Sequence, residues 1–181
     1  MKLLIASDLH GDAECTKELI EKFDSEGADK LVLLGDILYH GPRNDLPSGY
    51  APKKVIELLN ERREVILCVR GNCDTEVDQM VLNFPVLADY ALISADGVSV
   101  FATHGHKFNT DAVPPLSGGD ILLHGHTHVF ACEEFGNGNL YLNPGSVSLP
   151  KNGNPRTYMT YEAGTFTLKT FDGEVIFTKK V

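Results

Sequence analysis

Long apolar runs are missing from this chain, and their absence removes two classes at once. At the N-terminus Leu3-Leu4-Ile5-Ala6 gives way directly to Ser7 and Asp8. That is far short of the ~20 apolar residues of a membrane span or the ~7 to 15 of a secretory leader core. The expectation is a cytoplasmic protein with no membrane partner. Cysteine is also sparse: Cys15, Cys68, Cys73 and Cys132 show no C-x-x-C spacing. A zinc knuckle and a disulfide framework are therefore excluded, and four free thiols in a reducing compartment are expected. Basic residues are outnumbered, 16 Lys and Arg against 25 Asp and Glu for a net charge of -9. Affinity for a polyanion comes mostly from Lys and Arg, so a broad nucleic-acid surface is excluded. A small phosphate substrate is not, because a bound metal ion can outweigh the acidic groups around it.

What is present is the composition of an ordinary globular chain. The 181 residues, 43% hydrophobic and 23% charged, fit a single domain over 1–181, long enough to bury roughly two-thirds of its unfolded surface. Leu3 to Ala6, Leu31 to Leu34 and Val65 to Val69 are apolar runs of strand length. Between them the periodicity predicts a helix from Asp12 to Phe23, stopped at Gly27, and another opened by Pro52 and running to about Arg62. This β-α-β-α-β order implies parallel pairing. The segment from Ile37 to Pro52 reads as a long loop, and Thr75 to Leu82 as a short helix. Further on, Tyr90 to Ser94 and Val98 to Thr103 flank the hairpin signal Asp96-Gly97. Ile121 to His124, Val129 to Phe135 and Leu140 to Leu142 follow, and a three-stranded meander closes the chain from Thr157 to Thr178. The expected fold is α/β: two mixed β-sheets packed face to face with helices outside.

The polar residues at the ends of these runs carry the functional signal. The first run ends in Asp8-Leu9-His10-Gly11, the second in Gly35-Asp36 and the third in Gly71-Asn72-Cys73-Asp74. Later runs lead into His104-Gly105-His106 and into His124-Gly125-His126-Thr127-His128. Carboxyl ends of strands are where α/β sheets gather ligands. Singly, each residue has an ordinary explanation: Asp8 as a helix cap, His10 as a solvated ring, Asp36 and Asn72 as turn formers, His104 in a core hydrogen bond. Jointly, two aspartates, one asparagine and four histidines without thiolate suit borderline divalent ions. They are too many for one ion; with one aspartate shared they give two ions of about four ligands each.

These motifs, D-x-H, G-D, G-N-C-D, H and G-H-x-H in order over residues 8 to 128, resemble those of the calcineurin-like metallophosphoesterases. Tyr39 to Asn44, Gly71 to Met80 and Asn143 to Ser148 are similar to the small bacterial phosphodiesterases within that superfamily. The resemblance implies a four-layer αββα sandwich and two divalent ions, Mn2+ first with Zn2+, Fe2+ or Ni2+ as alternatives. It further implies that Asp8, His10, Asp36 and His128 hold one ion and Asp36, Asn72, His104 and His126 the other. A phosphodiester is then hydrolysed by a hydroxide activated between the two metals, without a covalent enzyme intermediate. His106 and His124 fall outside the ligand pattern. Asp36, Asn72 and Cys73 are the expected catalytic residues, and the loop carrying His40, Arg43 and Asn44 adds expected substrate contacts, although Arg43 could equally serve an ordinary salt bridge. Cys73 is the departure, since many relatives place at this position a histidine thought to protonate the leaving oxygen. A thiol of pKa ~8.5 matches neutral pH less well than an imidazole near 6.5, which favours diesters over monoesters; a buried filler is the alternative role. The expected partner is a small phosphodiester, with self-association into a homo-oligomer left open. The rival to catalysis is a binding scaffold, because a retromer subunit shares this fold; the seven competent ligands favour the enzyme.

Overall fold

The computed structural model describes residues 1–181, with every side chain except that of Ala95. In chain order the elements are β1 (Leu3–Ala6), α1 (Ala13–Glu26), β2 (Lys30–Leu33), α2 (Pro52–Asn60), β3 (Ile66–Cys68), α3 (Glu76–Val81), β4 (Tyr90–Ala95), β5 (Val98–Thr103), β6 (Ile121–Leu123), β7 (Ala131–Phe135), β8 (Asn139–Asn143), β9 (Thr157–Glu162), β10 (Thr165–Thr170) and β11 (Val175–Lys180). They form a six-stranded sheet of order β11-β10-β9-β1-β2-β3 and a five-stranded sheet of order β4-β5-β6-β8-β7. The two crossover units pair β1, β2 and β3 in parallel, and β9 joins the C-terminal meander to β1 in antiparallel fashion. In the second sheet β5, β6 and β8 are parallel, between antiparallel edges.

Successive side chains on a strand face opposite ways, and both faces of β1 are used. Leu3 and Ile5 join Val100, Ala102, Leu123 and Leu142 in the core between the sheets. Leu4 and Ala6 face Leu19, Phe23, Val55 and Leu59 of the two long helices. Asp12 caps α1, accepting from the Cys15 amide at 2.9 Å, which leaves Asp8 free of that duty. Gly27 closes the helix in the left-handed region, with φ 63°.

Two features differ from the sequence expectation. The run Val65 to Val69 yields only three strand residues at a sheet edge, with Leu67 37% exposed. On the outer face of the five-stranded sheet, where a four-layer fold carries helices, residues 104–120 form no helix. Phe108 of that segment packs edge-on against Phe101 at 5.5 Å. Pro114, Pro115, Gly118 and Gly119 in one short stretch are the local reason. What matters for the site is that the carboxyl ends of β1, β2, β3, β5 and β6 open on one edge of the sandwich.

Candidate metal centre

The loops leaving these strands are stitched together by main-chain hydrogen bonds. His10 N donates to Asp36 O at 2.9 Å and Gly11 N to Ile37 O at 2.9 Å. Asp74, almost fully buried, accepts from the amides of Asp36, Ile37 and Gly71 at 2.9, 2.9 and 2.7 Å, clamping the loop after β2 to the loop after β3. Glycine is required where these loops touch: a Cβ on Gly71 would collide with the Asp36 carboxylate, and one on Gly125 with the Ser7 hydroxyl.

Five of the seven expected ligands occupy the left-handed region: Asp8, His10, Asp36, His126 and His128, with φ between 49° and 67°. For a residue with a side chain this conformation costs roughly 1 to 3 kcal/mol and persists only where the surroundings impose it. Asp8 Oδ2 accepts from the His126 amide at 3.1 Å and Asp36 Oδ1 from the Cys73 amide at 2.8 Å. In each carboxylate the other oxygen is thereby turned toward the imidazoles.

Two groups of ligand atoms meet there, with Asp36 in both. In one, His10 Nε2 lies 3.2 Å from His128 Nε2, 3.6 Å from Asp8 Oδ1 and 3.7 Å from Asp36 Oδ2. In the other, His104 Nε2 lies 3.1 Å from Asn72 Oδ1, 3.1 Å from His126 Nδ1 and 3.5 Å from Asp36 Oδ2. The far side of three of these rings is fixed: the Nδ1 protons of His10, His128 and His104 are donated to the carbonyls of Tyr39, Leu149 and Leu34 at 2.9, 2.6 and 2.7 Å. In the neutral tautomer this leaves each Nε2 as a bare lone pair. Lone pairs of His10 and His128 therefore face one another, and His104 faces a carbonyl and a carboxylate. Asp8 Oδ1 is buried with no donor among the described residues. Acceptors packed together without donors need a cation between them, and this imidazole and carboxylate set fits divalent metal ions.

Protonation in the metal-free chain follows the same electrostatics. For His104, burial opposes the charged ring, but the hydrogen bond to Asp36 and the charges of Asp8 and Asp36 carry its pKa up to about 9. His10 is raised in the same way, burial notwithstanding, through Asp8. Burial disfavours the Asp8 and Asp36 anions, yet their histidine neighbours hold both below the usual carboxylate range. His126 is pushed down to about 4 by burial and by the charge on His104.

Above the cluster lies a cavity of about 300 Å³ with Asp36, Asn72, Cys73, His126 and His128 on its floor and Arg43, Asn44 and Lys151 on its walls. Arg43 is exposed and lines the cavity wall. His40 is not on the cavity wall. It sits between the rings of Tyr39 and Tyr50, at 4.8 and 5.3 Å, and its carbonyl accepts from Asn44 Nδ2 at 2.7 Å. His124 stacks on Tyr141 at 4.4 Å, and the His106 ring lies 5.4 Å from that of His104, both outside the two groups. Burial pushes the Cys73 thiol well above its ordinary range, and Asp36 adds to the shift. Asp74 and Lys151 were not singled out by sequence reasoning. A buried acid within the G-N-C-D motif was a usable signal for Asp74, whereas nothing in spacing pointed to Lys151.

The comparisons agree with this geometry. The family described as Calcineurin-like phosphoesterase superfamily domain matches residues 1–165. Over 158 residues the chain is 50% identical to Phosphodiesterase YfcE of Escherichia coli strain K12, covering 87% of this chain and 85% of that protein. The solved structure of YfcE, described as a phosphoesterase from Escherichia coli, superposes with a TM-score of 0.96 at 45% identity, covering 99% of each chain. Probable metallophosphoesterase YsnB of Bacillus subtilis strain 168 is 26% identical over 181 residues, covering 95% of this chain and 91% of its own. Strand-end ligands brought to one edge, a two-sheet sandwich and a match over most of the length converge on one conclusion: the chain belongs to the calcineurin-like phosphoesterase superfamily.

Proposed function

We propose that this protein is a metal-dependent phosphodiesterase for a small phosphodiester, working with two divalent ions. One ion is assigned to Asp8, His10, Asp36 and His128, the other to Asp36, Asn72, His104 and His126, with Mn2+ the first choice and Zn2+, Fe2+ or Ni2+ the alternatives. The observation that carries the reading is the pair of acceptor clusters meeting at Asp36 Oδ2, 3.7 Å from His10 Nε2 and 3.5 Å from His104 Nε2, under an open cavity. When bound, two such ions acidify a shared water and neutralise phosphoryl oxygens.

The chain's own residues supply the rest. Asp36 holds both halves of the site in register through one oxygen while the Cys73 amide fixes the other. Arg43 and Lys151 bring positive charge to the cavity walls, where a phosphoryl group would seat, and Arg43 can engage two of its oxygens at once. The Asn72 amide sits at the cavity floor, its Nδ2 3.2 Å from Cys73 Sγ. Cytoplasmic residence is part of the same proposal, supported by four free cysteines; no helix is long and apolar enough to cross a membrane.

The test is to strip the protein with chelator, add back Mn2+, Zn2+, Ni2+ or Mg2+ singly, and assay paired diester and monoester substrates. Turnover of a diester restored by Mn2+ is expected. Activity indifferent to chelation, or confined to monoesters, would count against the reading. A second prediction concerns Cys73. A thiol whose pKa is driven upward is a feeble proton donor to a departing alkoxide. Cys73→His should raise turnover of an alkyl diester about tenfold or more, within the ~10² to 10⁴ span of general acid catalysis, and change an aryl diester little. Equal changes for the two would argue against a leaving-group role at this position.

A further inference from the structure

A single segment, residues 143–149, holds one half of the metal centre through several direct contacts and touches the other only beside His126, at Gly125 and Thr127. The hydroxyls of Ser146 and Ser148 both donate to the Asp8 carbonyl, at 3.0 and 2.9 Å. Ser146 Oγ in turn accepts from the Leu149 amide at 2.9 Å. The Leu149 carbonyl is the group that fixes the His128 ring through Nδ1 at 2.6 Å. Val147 N donates to Ser7 O at 3.1 Å, just ahead of Asp8. Asn143, fully buried, places Nδ2 2.9 Å from the Gly125 carbonyl and 3.0 Å from Thr127 Oγ1. The other half is held mainly by different elements: the Leu34 carbonyl fixes His104, the Cys73 amide and Asp74 fix the shared Asp36 and its loop, and Asp8 Oδ2 accepts from the His126 amide.

We propose that segment 143–149 is the positioning device of the Asp8, His10 and His128 half-site, so that it sets the affinity of that ion more strongly than that of the other. The inference rests on the dinuclear reading above. Asp8 is held at φ 60°, a region of some cost to a residue with a side chain, so a tether on its carbonyl helps keep it there, and its carboxylate direction follows its backbone. Two hydroxyls provide that tether. Ser146 also links it to Leu149, so that Asp8 and His128 are aimed by one continuous hydrogen-bonded chain. Partners that orient a ligand in this way change metal affinity by roughly 10- to 100-fold when removed.

The experiment uses the full chain, stripped of metal and titrated with Mn2+ alone by calorimetry, with bound manganese counted by electron paramagnetic resonance. The wild type should take up two equivalents. The double variant Ser146→Ala/Ser148→Ala should bind one equivalent about tenfold or more weakly and the other with a clearly smaller loss. Adding the hydroxyl back in Ser146→Ala/Ser148→Thr should recover part of that loss, which a loosened fold would not do. If the double variant fails to fold, Ser148→Ala alone, at the less buried of the two serines, is judged by the same criterion. Equal weakening of both equivalents, or no weakening of either, would overturn the proposal. Uptake of a single equivalent by the wild type would instead overturn the dinuclear reading beneath it.

Discussion

Asp36→Asn is expected to lower diester turnover by at least about a thousandfold, the upper range for loss of one preorganised charge-stabilising group. Asparagine has nearly the same shape, and its Oδ1 can still accept from the Cys73 amide, 2.8 Å away in the native chain. The loss falls on the other atom. Asp36 Oδ2 faces His10 Nε2 at 3.7 Å and His104 Nε2 at 3.5 Å, a carboxylate oxygen shared by both acceptor groups. An amide there is neutral, and if its nitrogen takes that place it presents hydrogens where a cation is needed. Steady-state assay at saturating Mn2+, with metal content measured on the same sample, checks the prediction. A folded variant within tenfold of wild-type turnover would remove Asp36 from the centre of the mechanism.

Removing metal should destabilise the protein strongly, and more so as pH rises. Binding to the native state alone contributes about 4 kcal/mol per site at a thousandfold excess over Kd. For a chain of this length that is a melting-temperature change on the order of 10 °C. In the metal-free chain protons take the place of the missing cations: His104 is raised to about 9, and His10 is raised as well. A histidine raised on folding contributes stability fully present below its unfolded value of ~6.5 and lost as pH climbs toward the folded value. Asp8 and Asp36, both lowered, contribute stability above ~4 that is lost in acid. His124 and His126, lowered to about 4, and His128, also lowered, act the other way. They contribute stability that is present above ~6.5 and lost as pH falls, so the metal-free protein should be most stable at about pH 6.5. Metal must displace the histidine protons, so the stabilisation it confers should grow from pH 6.5 to 9. Scanning calorimetry with and without chelator at three pH values tests this; a gain that shrinks with pH would contradict it.

Much of this site was legible because it is written in residue type and spacing. Asp8-x-His10, Gly35-Asp36, Gly71-Asn72 and Gly125-His126-x-His128 each follow an apolar run, and parallel pairing of β1 to β3 and of β5 with β6 brings those runs' ends together. What could not be read is what depends on contacts distant in sequence. The grip of Ser146 and Ser148 on Asp8 spans nearly 140 positions and engages a main-chain carbonyl, which leaves no trace in local pattern. Lys151 reaches the cavity only because its amide is bonded to the His128 carbonyl at 3.1 Å. His40 shared a loop with Arg43 and Asn44 but faces Tyr39 and Tyr50, a choice of side made by packing. The left-handed conformation of five of these residues was hidden too, because residue type alone does not mark it: Asp96 adopts it in a hairpin turn, at φ 53°.

The ring of Leu149 contacts described above also dictates when an ion can first be captured during synthesis. On the proposed assignment, half of the cage needs Asp8 together with His128 and the carbonyl of Leu149, more than a hundred positions further along the chain. A nascent chain still threaded in the ribosome thus lacks a finished cage until Leu149 has emerged.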